Sequence, residues 1–126
     1  MEEVASFEKS ILEKYNAVLN KVYLSIDKET QAKRLEDRKK IMKQWKSSKV
    51  DEVAQKMWGE YTFAKRQVLD KTHTIENPWH VIDSNTRYLA SIEVIKLILN
   101  SVPEIGEEVG HKLKLNIKPN QKVHRL

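Results

Sequence analysis

The 126 residues contain no cysteine, three glycines and three prolines. Without cysteine there is no disulfide, no thiolate metal site and no sulfur nucleophile. So little glycine and proline leaves few residues for the tight turns of a sandwich or barrel, which pushes the class toward helix-rich. No apolar run reaches the roughly 20 residues of a membrane span. The opening Met1-Glu2-Glu3-Val4 is acidic where a secretory signal is basic. The expectation is a soluble, cytoplasmic chain with no membrane partner. Against these absences stand 40% apolar and 33% charged residues. That is enough to build a core and too apolar for a wholly disordered chain. The length allows one domain, or a domain with a tail.

The net charge of +5 is unevenly spread. Residues 1–27 carry −2, residues 28–49 carry +6, residues 50–110 carry −4 and residues 111–126 carry +5. Two short segments hold the whole positive excess, as localised contact with a polyanion requires. A solvated helix face and a basic tail would produce the same distribution.

Apolar residues Val4, Phe7, Ile11 and Val18, with Tyr15, recur at helical spacing over residues 4–19. Residues 21–26 switch to a period of two, with Val22, Leu24 and Ile26 on one face, and predict a strand. Asp27 can cap a helix over residues 28–46 whose apolar stripe is thin: Ala32, Leu35, Ile41, Met42 and Trp45, interrupted at Arg38 and Lys39. So thin a stripe predicts weak packing and a mobile or ligand-stabilised element. Ser48 or Asp51 can cap the next helix, which runs to about residue 71 on Val53, Met57, Tyr61, Ala64 and Val68. Residues 72–78 form a turn-rich connection in which Pro78 biases Asn77 to extended geometry. Residues 79–82 read as a short buried strand, and residues 86–101 as a last helix closed by Pro103. From Glu104 on, the chain reads as a basic tail with a marginal strand at Leu113, Leu115 and Ile117. Strands separated by helical crossovers argue for a parallel α/β sheet, yet two strands do not complete one. An apolar strand with so few neighbours leaves unpaired backbone edges, as though the other strands lay elsewhere.

The sequence holds no catalytic constellation. Gly59, Gly106 and Gly110 cannot form a glycine-rich phosphate loop; the segment from Gly106 to Lys112 has the wrong spacing and two acids where phosphate would sit. His73, His80, His111 and His124 follow no metal-ligand spacing, and the adjacent acid pairs Glu36-Asp37 and Glu107-Glu108 diverge on a helix. What remains is a rail of cations with Arg34, Arg38, Lys39, Lys40, Lys43 and Lys46, suited to a rail of phosphates. Trp45 within it could stack on a base, but its helix-period apolar position suits a core better.

The motifs around that rail carry a resemblance. The run from Gln31 to Arg38, then Lys43-Gln44-Trp45-Lys46, Ser48 and Asp51 form its first part. Trp58-Gly59-Glu60-Tyr61 with Ala64, then Thr72-His73-Thr74, Asn77-Pro78-Trp79, Val81 and Ser84, complete it. In order and almost without gaps over residues 7–102, they resemble the C-terminal part of the polyphosphate kinase type 2 family. The resemblance implies an α/β, helix-rich architecture. It would be the C-terminal portion of a three-layer P-loop kinase-like fold, with about two parallel strands and four helices. Residues 1–103 would form the domain, residues 28–49 a lid and residues 104–126 a basic tail. It further implies phosphoryl transfer between polyphosphate and a nucleotide, with magnesium in the complete enzyme. The lid cations would be Arg34, Arg38, Lys43 and Lys46. The phosphate loop and the metal-binding acidic segment belong to an N-terminal half not found here, so this chain would hold no cofactor and be inactive alone. Its partners would be polyphosphate or nucleotide, with a complementary half or a second copy of the chain. Departures are Lys40-Ile41 in place of an acidic-Pro pair, Asn85 and Thr86 at positions that are commonly charged, and Ser91 and Glu93 in place of Arg and Asn. The alternative is a non-catalytic helical module binding nucleic acid or another polyanion through its basic segments.

Overall fold

The computed structural model of the chain describes residues 2–40, 49–113 and 124–125. The elements are α1 (Glu2–Tyr15), β1 (Lys21–Ser25), α2 (Lys28–Lys39), α3 (Lys49–Ala54), α4 (Trp58–Thr72), β2 (Trp79–Asp83), α5 (Arg87–Ser101), α6 (Pro103–Leu113) and β3 (His124–Arg125). The chain divides into two compact units, residues 1–25 with 69–126, and residues 26–68.

In the first unit β1 and β2 run parallel, in register from Lys21 opposite Trp79 to Ser25 opposite Asp83. Both predicted strands therefore exist and pair as the helical crossover requires. β3 adds antiparallel to β2 through His80 opposite Arg125 and Val81 opposite His124, so the strand order is β1-β2-β3. Pairing on both sides makes β2 the central strand, and its Ile82 is 2% exposed. Leu24, the register partner of Ile82 on β1, is 50% exposed. α5 packs on β2, and its buried residues Ala90, Glu93 and Leu97 follow the three- and four-residue spacing of one helix face.

Polar contacts fasten the start of both strands. The buried ammonium of Lys21 donates to the two carboxylate oxygens of Glu8 at 3.0 and 3.2 Å and to the carbonyl of Thr72. It also lies 5.7 Å from the centre of the Trp79 ring. Trp79 Nε1 donates to Thr72 Oγ1 at 2.9 Å, its backbone N–H donates to His73 Nδ1 at 3.3 Å, and Thr74 Oγ1 accepts from the Asn77 N–H at 3.0 Å. The Thr-His-Thr…Asn-Pro-Trp motif is thus a hydrogen-bonded turn that delivers the chain into β2.

In the second unit Asp27 caps α2 as predicted, its Oδ1 accepting from the Thr30 N–H at 2.6 Å. α2 has no buried residue.

Five local expectations are corrected. The helix expected to reach residue 46 ends at Lys39, where Lys40 turns extended (φ −61°, ψ 141°). This is where the apolar stripe is interrupted; residues 41–48 lie outside the described residues. The helix expected over 51–71 is two, because α3 ends at Ala54 and Val53 O accepts from both Lys56 N and Met57 N in a tightened turn. Asp51 does not precede a helix but sits inside α3. The segment expected as a tail opens with a helix: proline lacks the N–H that a continuing α5 needs, but it suits the first position of α6. Leu113 ends that helix instead of starting a strand, while Leu115 and Ile117 lie outside the described residues. The helix-rich α/β class with two parallel strands holds; the described residues form six helices, where about four were expected, and a third short strand.

Removing one member of a buried ion pair strands the other, at a cost of about 3 to 5 kcal/mol. The Lys21 and Glu8 side chains are 6% and 11% exposed, so Glu8→Ala should lower unfolding stability by that amount in urea titration. The paired replacement Glu8→Leu with Lys21→Met should recover most of the loss. An unchanged midpoint for Glu8→Ala would show that the pair does not hold the fold.

Candidate phosphate-binding site

Arg34 and Arg38 stand one helical turn apart on α2, both half-buried. Lys43 and Lys46, the other two expected lid cations, lie outside the described residues. Lys39 and Lys40 are exposed. The charges on α2 are sorted along its dipole: Asp27 and Glu29 at the amino end, Arg38 and Lys39 in the last turn. Part of the cationic excess is therefore already matched by the helix itself.

The two arginines differ in their surroundings. Arg38 Nη1 reaches both carboxylate oxygens of Asp51 at 3.1 Å. The described hydrogen bonds of Arg38 are these two, both made by Nη1. Its side chain is 42% exposed, enough for an incoming oxyanion to meet it. Arg34 belongs to the electrostatic environment of Asp27. A second polar contact runs parallel to the Arg38–Asp51 pair. Gln55 Nε2 donates to Gln31 Oε1 at 2.7 Å and to the Lys28 carbonyl at 3.1 Å. The partners run in opposite order, Gln31 then Arg38 on α2 against Asp51 then Gln55, so α2 and the segment from α3 form an antiparallel hairpin joined by polar groups. Sequence reasoning offered Asp51, as an alternative to Ser48, for a cap and passed over Gln55; Ser48 lies outside the described residues. The signal was present as a complementary Gln/Arg and Asp/Gln pair in reversed order, but only the hairpin geometry makes it readable.

Two carboxylates set the electrostatics of α2. Hydrogen bonds from the Thr30 backbone hold Asp27 below its ordinary carboxyl pKa of 3.8. At the other end, a hydrogen bond to Asp37 raises Lys40 above its usual 10.5, so this cation stays charged and partly neutralised. At the carboxyl ends of the strands, where parallel sheets bind ligands, the Ser84 N–H donates to the Ser25 carbonyl at 2.7 Å. The Asn85 N–H donates to Asp83 Oδ1 at 2.8 Å. Thr86 precedes α5 without a side-chain capping bond. No three His, Asp or Glu side chains among the described residues are grouped to hold a metal ion. The magnesium that the resemblance implies for the complete enzyme therefore finds no such ligand set among the described residues. No helix among the described residues is long and apolar enough to cross a membrane.

Comparison with known proteins follows the same lines. A family model described as Polyphosphate kinase 2 (PPK2) matches residues 1–109. The chain is 33% identical over 109 residues to ADP-polyphosphate phosphotransferase 1 of Rhizobium meliloti, covering 86% of this chain and 36% of the relative. It is 31% identical over 112 residues to NDP-polyphosphate phosphotransferase 1 of Ruegeria pomeroyi, covering 88% and 36%. The crystal structure of polyphosphate kinase 2 from Arthrobacter aurescens superposes with a TM-score of 0.75 at 32% identity, covering 82% of this chain and 37% of that one. The chain thus spans about a third of the length of each of these three proteins.

Because Asp27 is held low in the folded state, its capping contribution is complete above pH 3.8 and is lost as pH falls below that value through the depressed pKa. The Thr30 amide resonance should therefore move in a pH titration with a midpoint under 3.8. A midpoint at or above 3.8 would show that the cap bond carries no charge preference.

Proposed function

The chain belongs to the polyphosphate kinase 2 family, and from that premise we propose that it supplies the cationic phosphate contacts of a polyphosphate:nucleotide phosphotransferase. Arg34 and Arg38 take the phosphates of polyphosphate or nucleotide, joined by Lys43 and Lys46. The observation that carries this reading is α2 itself: a cation-rich helix with no buried residue. It is held by polar contacts with Asp51 and Gln55 in place of a hydrophobic seam. Such an element is cheap to move and gains order from an anion. Nη1 of Arg38 rests on Asp51 while the other side of the fork is presented to phosphate oxygens, so the guanidinium is oriented before the anion arrives. During transfer, negative charge shifts among phosphate oxygens, and fixed guanidinium charges stabilise the shifted distribution without reorganising. This chain's own part in the reaction is to bind, orient and screen. The phosphate cradle and the magnesium-binding carboxylates are contributed by residues that these 126 do not include, so the chain by itself is inactive.

Two measurements test the proposal. Replacing Arg34 and Arg38 together by Ala should weaken retention on immobilised polyphosphate and reduce the slope of log affinity against log salt by about 1 to 2, since two phosphate contacts are removed. Stability should fall by no more than about 1 kcal/mol, because the half-exposed Arg38–Asp51 pair contributes little in water. Preferential displacement by DNA or RNA rather than by free polyphosphate would favour a nucleic-acid module instead. In the second, the purified chain with polyphosphate, ADP or GDP and magnesium should form no nucleoside triphosphate. Brisk formation would overturn the claim of inactivity alone.

A further inference from the structure

Each arginine of α2 has a carboxylate beside it. Arg38 Nη1 lies 3.1 Å from both oxygens of Asp51, and Arg34 stands in the electrostatic environment of Asp27. Asp51 is the more enclosed member of its pair, 18% exposed against 42% for Arg38. A half-exposed pair of this kind contributes little stability, and the neutral Gln55 already joins the same two segments through Gln31 and the Lys28 carbonyl. For the capture of anions the carboxylate is a handicap, because an anion that reaches Arg38 meets a positive charge in contact and a negative one close behind it.

The handicap falls unequally on different phosphates. An internal phosphate of a chain, bonded on both sides, carries one negative charge. A terminal or free phosphate loses its second proton near about pH 6 and then carries about two. The cost of stripping water from an ion rises more steeply with its charge than its attraction to a fixed cation does. A full guanidinium field offsets that cost for the doubly charged group, and a partly cancelled field does so only for the singly charged one. We propose that Asp51 sets the specificity of Arg38, fitting it to the singly charged internal phosphates of a polyphosphate chain and against the doubly charged phosphate at a chain end or free in solution. This rests on the reading under Proposed function that Arg38 takes phosphate. It also gives the bound chain a direction: an arginine that holds an internal phosphate leaves the chain's end free to reach a phosphate cradle that these 126 residues do not include.

Two small probes separate the two kinds of phosphate. Cyclic trimetaphosphate has internal phosphates and no end, whereas linear triphosphate has two ends and one internal phosphate. The full chain, retained on immobilised polyphosphate at about pH 8, is displaced with each. Linear triphosphate carries the greater charge there, so a helix that responds to charge alone releases to it first. Wild type should instead be displaced by trimetaphosphate at an equal or lower concentration. Asp51→Asn should reverse the order, lowering the linear triphosphate needed about three- to tenfold and the trimetaphosphate needed less than about twofold. Asp51→Glu keeps the charge and should keep the wild-type order. Asp51→Asn added to Arg38→Ala should change neither value, whereas a merely structural Asp51 would act without Arg38. Helical circular dichroism checks each variant, and if Asp51→Asn does not fold, the wild-type order decides the matter. Release of wild type by linear triphosphate at a several-fold lower concentration, or a folded Asp51→Asn with the wild-type order, would overturn the role of Asp51 and leave the phosphate-contact reading standing. A wild-type chain that is not retained, or that a single-stranded oligonucleotide releases at a lower phosphate concentration than free polyphosphate does, would overturn that reading and this one with it.

Discussion

The ammonium of Lys21 is the point on which the first unit depends. It is a charge at a buried position, and an unpaired charge there would cost far more than any single contact returns. Its satisfaction recruits Glu8 from α1, the Thr72 carbonyl from the end of α4 and the face of Trp79 at the start of β2. Four segments separated in sequence must therefore arrive together. The Thr72–Trp79 turn exists to make that arrival possible: Thr72 uses its carbonyl for Lys21 and its hydroxyl for the Trp79 indole. Hydrophobic burial in this unit, with Ile82, Leu69, Ala90 and Leu97, provides cohesion without direction. The buried polar cluster provides the direction.

The second unit is held on a different principle. α2 buries nothing, and its partners are a half-exposed arginine on a carboxylate and an amide on an amide. Exposed pairs of that kind contribute at most about 1 kcal/mol each and weaken with salt. The same feature that makes α2 a poor structural helix is the one that the proposed phosphate role calls for. Its cations are not committed to a core, and one of them is aimed by a carboxylate that uses a single nitrogen of its fork.

Period and punctuation made the strands legible. Val22 and Leu24 alternate with Lys21 and Tyr23, and Pro78 forbids helix just before Trp79, so β1 and β2 follow from local rules. The end of α2 was half legible: the seam visibly breaks at Arg38 and Lys39, and the helix ends there. The break between α3 and α4 was not, because the apolar spacing of Val53, Met57 and Tyr61 runs straight through it, and the tightened turn at Val53 is a backbone event. α6 was missed because Pro103 ends one helix and opens another with the same ring. Of the site, Arg34 and Arg38 were legible as cations one turn apart. The roles of Asp51 and Gln55 were not, since they arise from an antiparallel hairpin that brings residues 13 and 24 positions apart together.

Glu93 shows how a departure from the family pattern is absorbed. It falls in the buried stripe of α5 between Ala90 and Leu97, at a place where the resemblance leads one to expect the neutral Asn. A carboxylate there needs a cation, and Lys96, three residues on, provides it at 3.1 Å with only 11% and 19% of the two side chains exposed. Because this pair is made within one helix, it can form as α5 forms. The Lys21 cluster is the opposite case, since it exists only when four segments meet. A charge introduced beside its own counter-ion is tolerated where it falls. A charge that draws partners from across the fold instead specifies the fold, and two of its partners, Thr72 and Trp79, belong to the Thr-His-Thr…Asn-Pro-Trp motif.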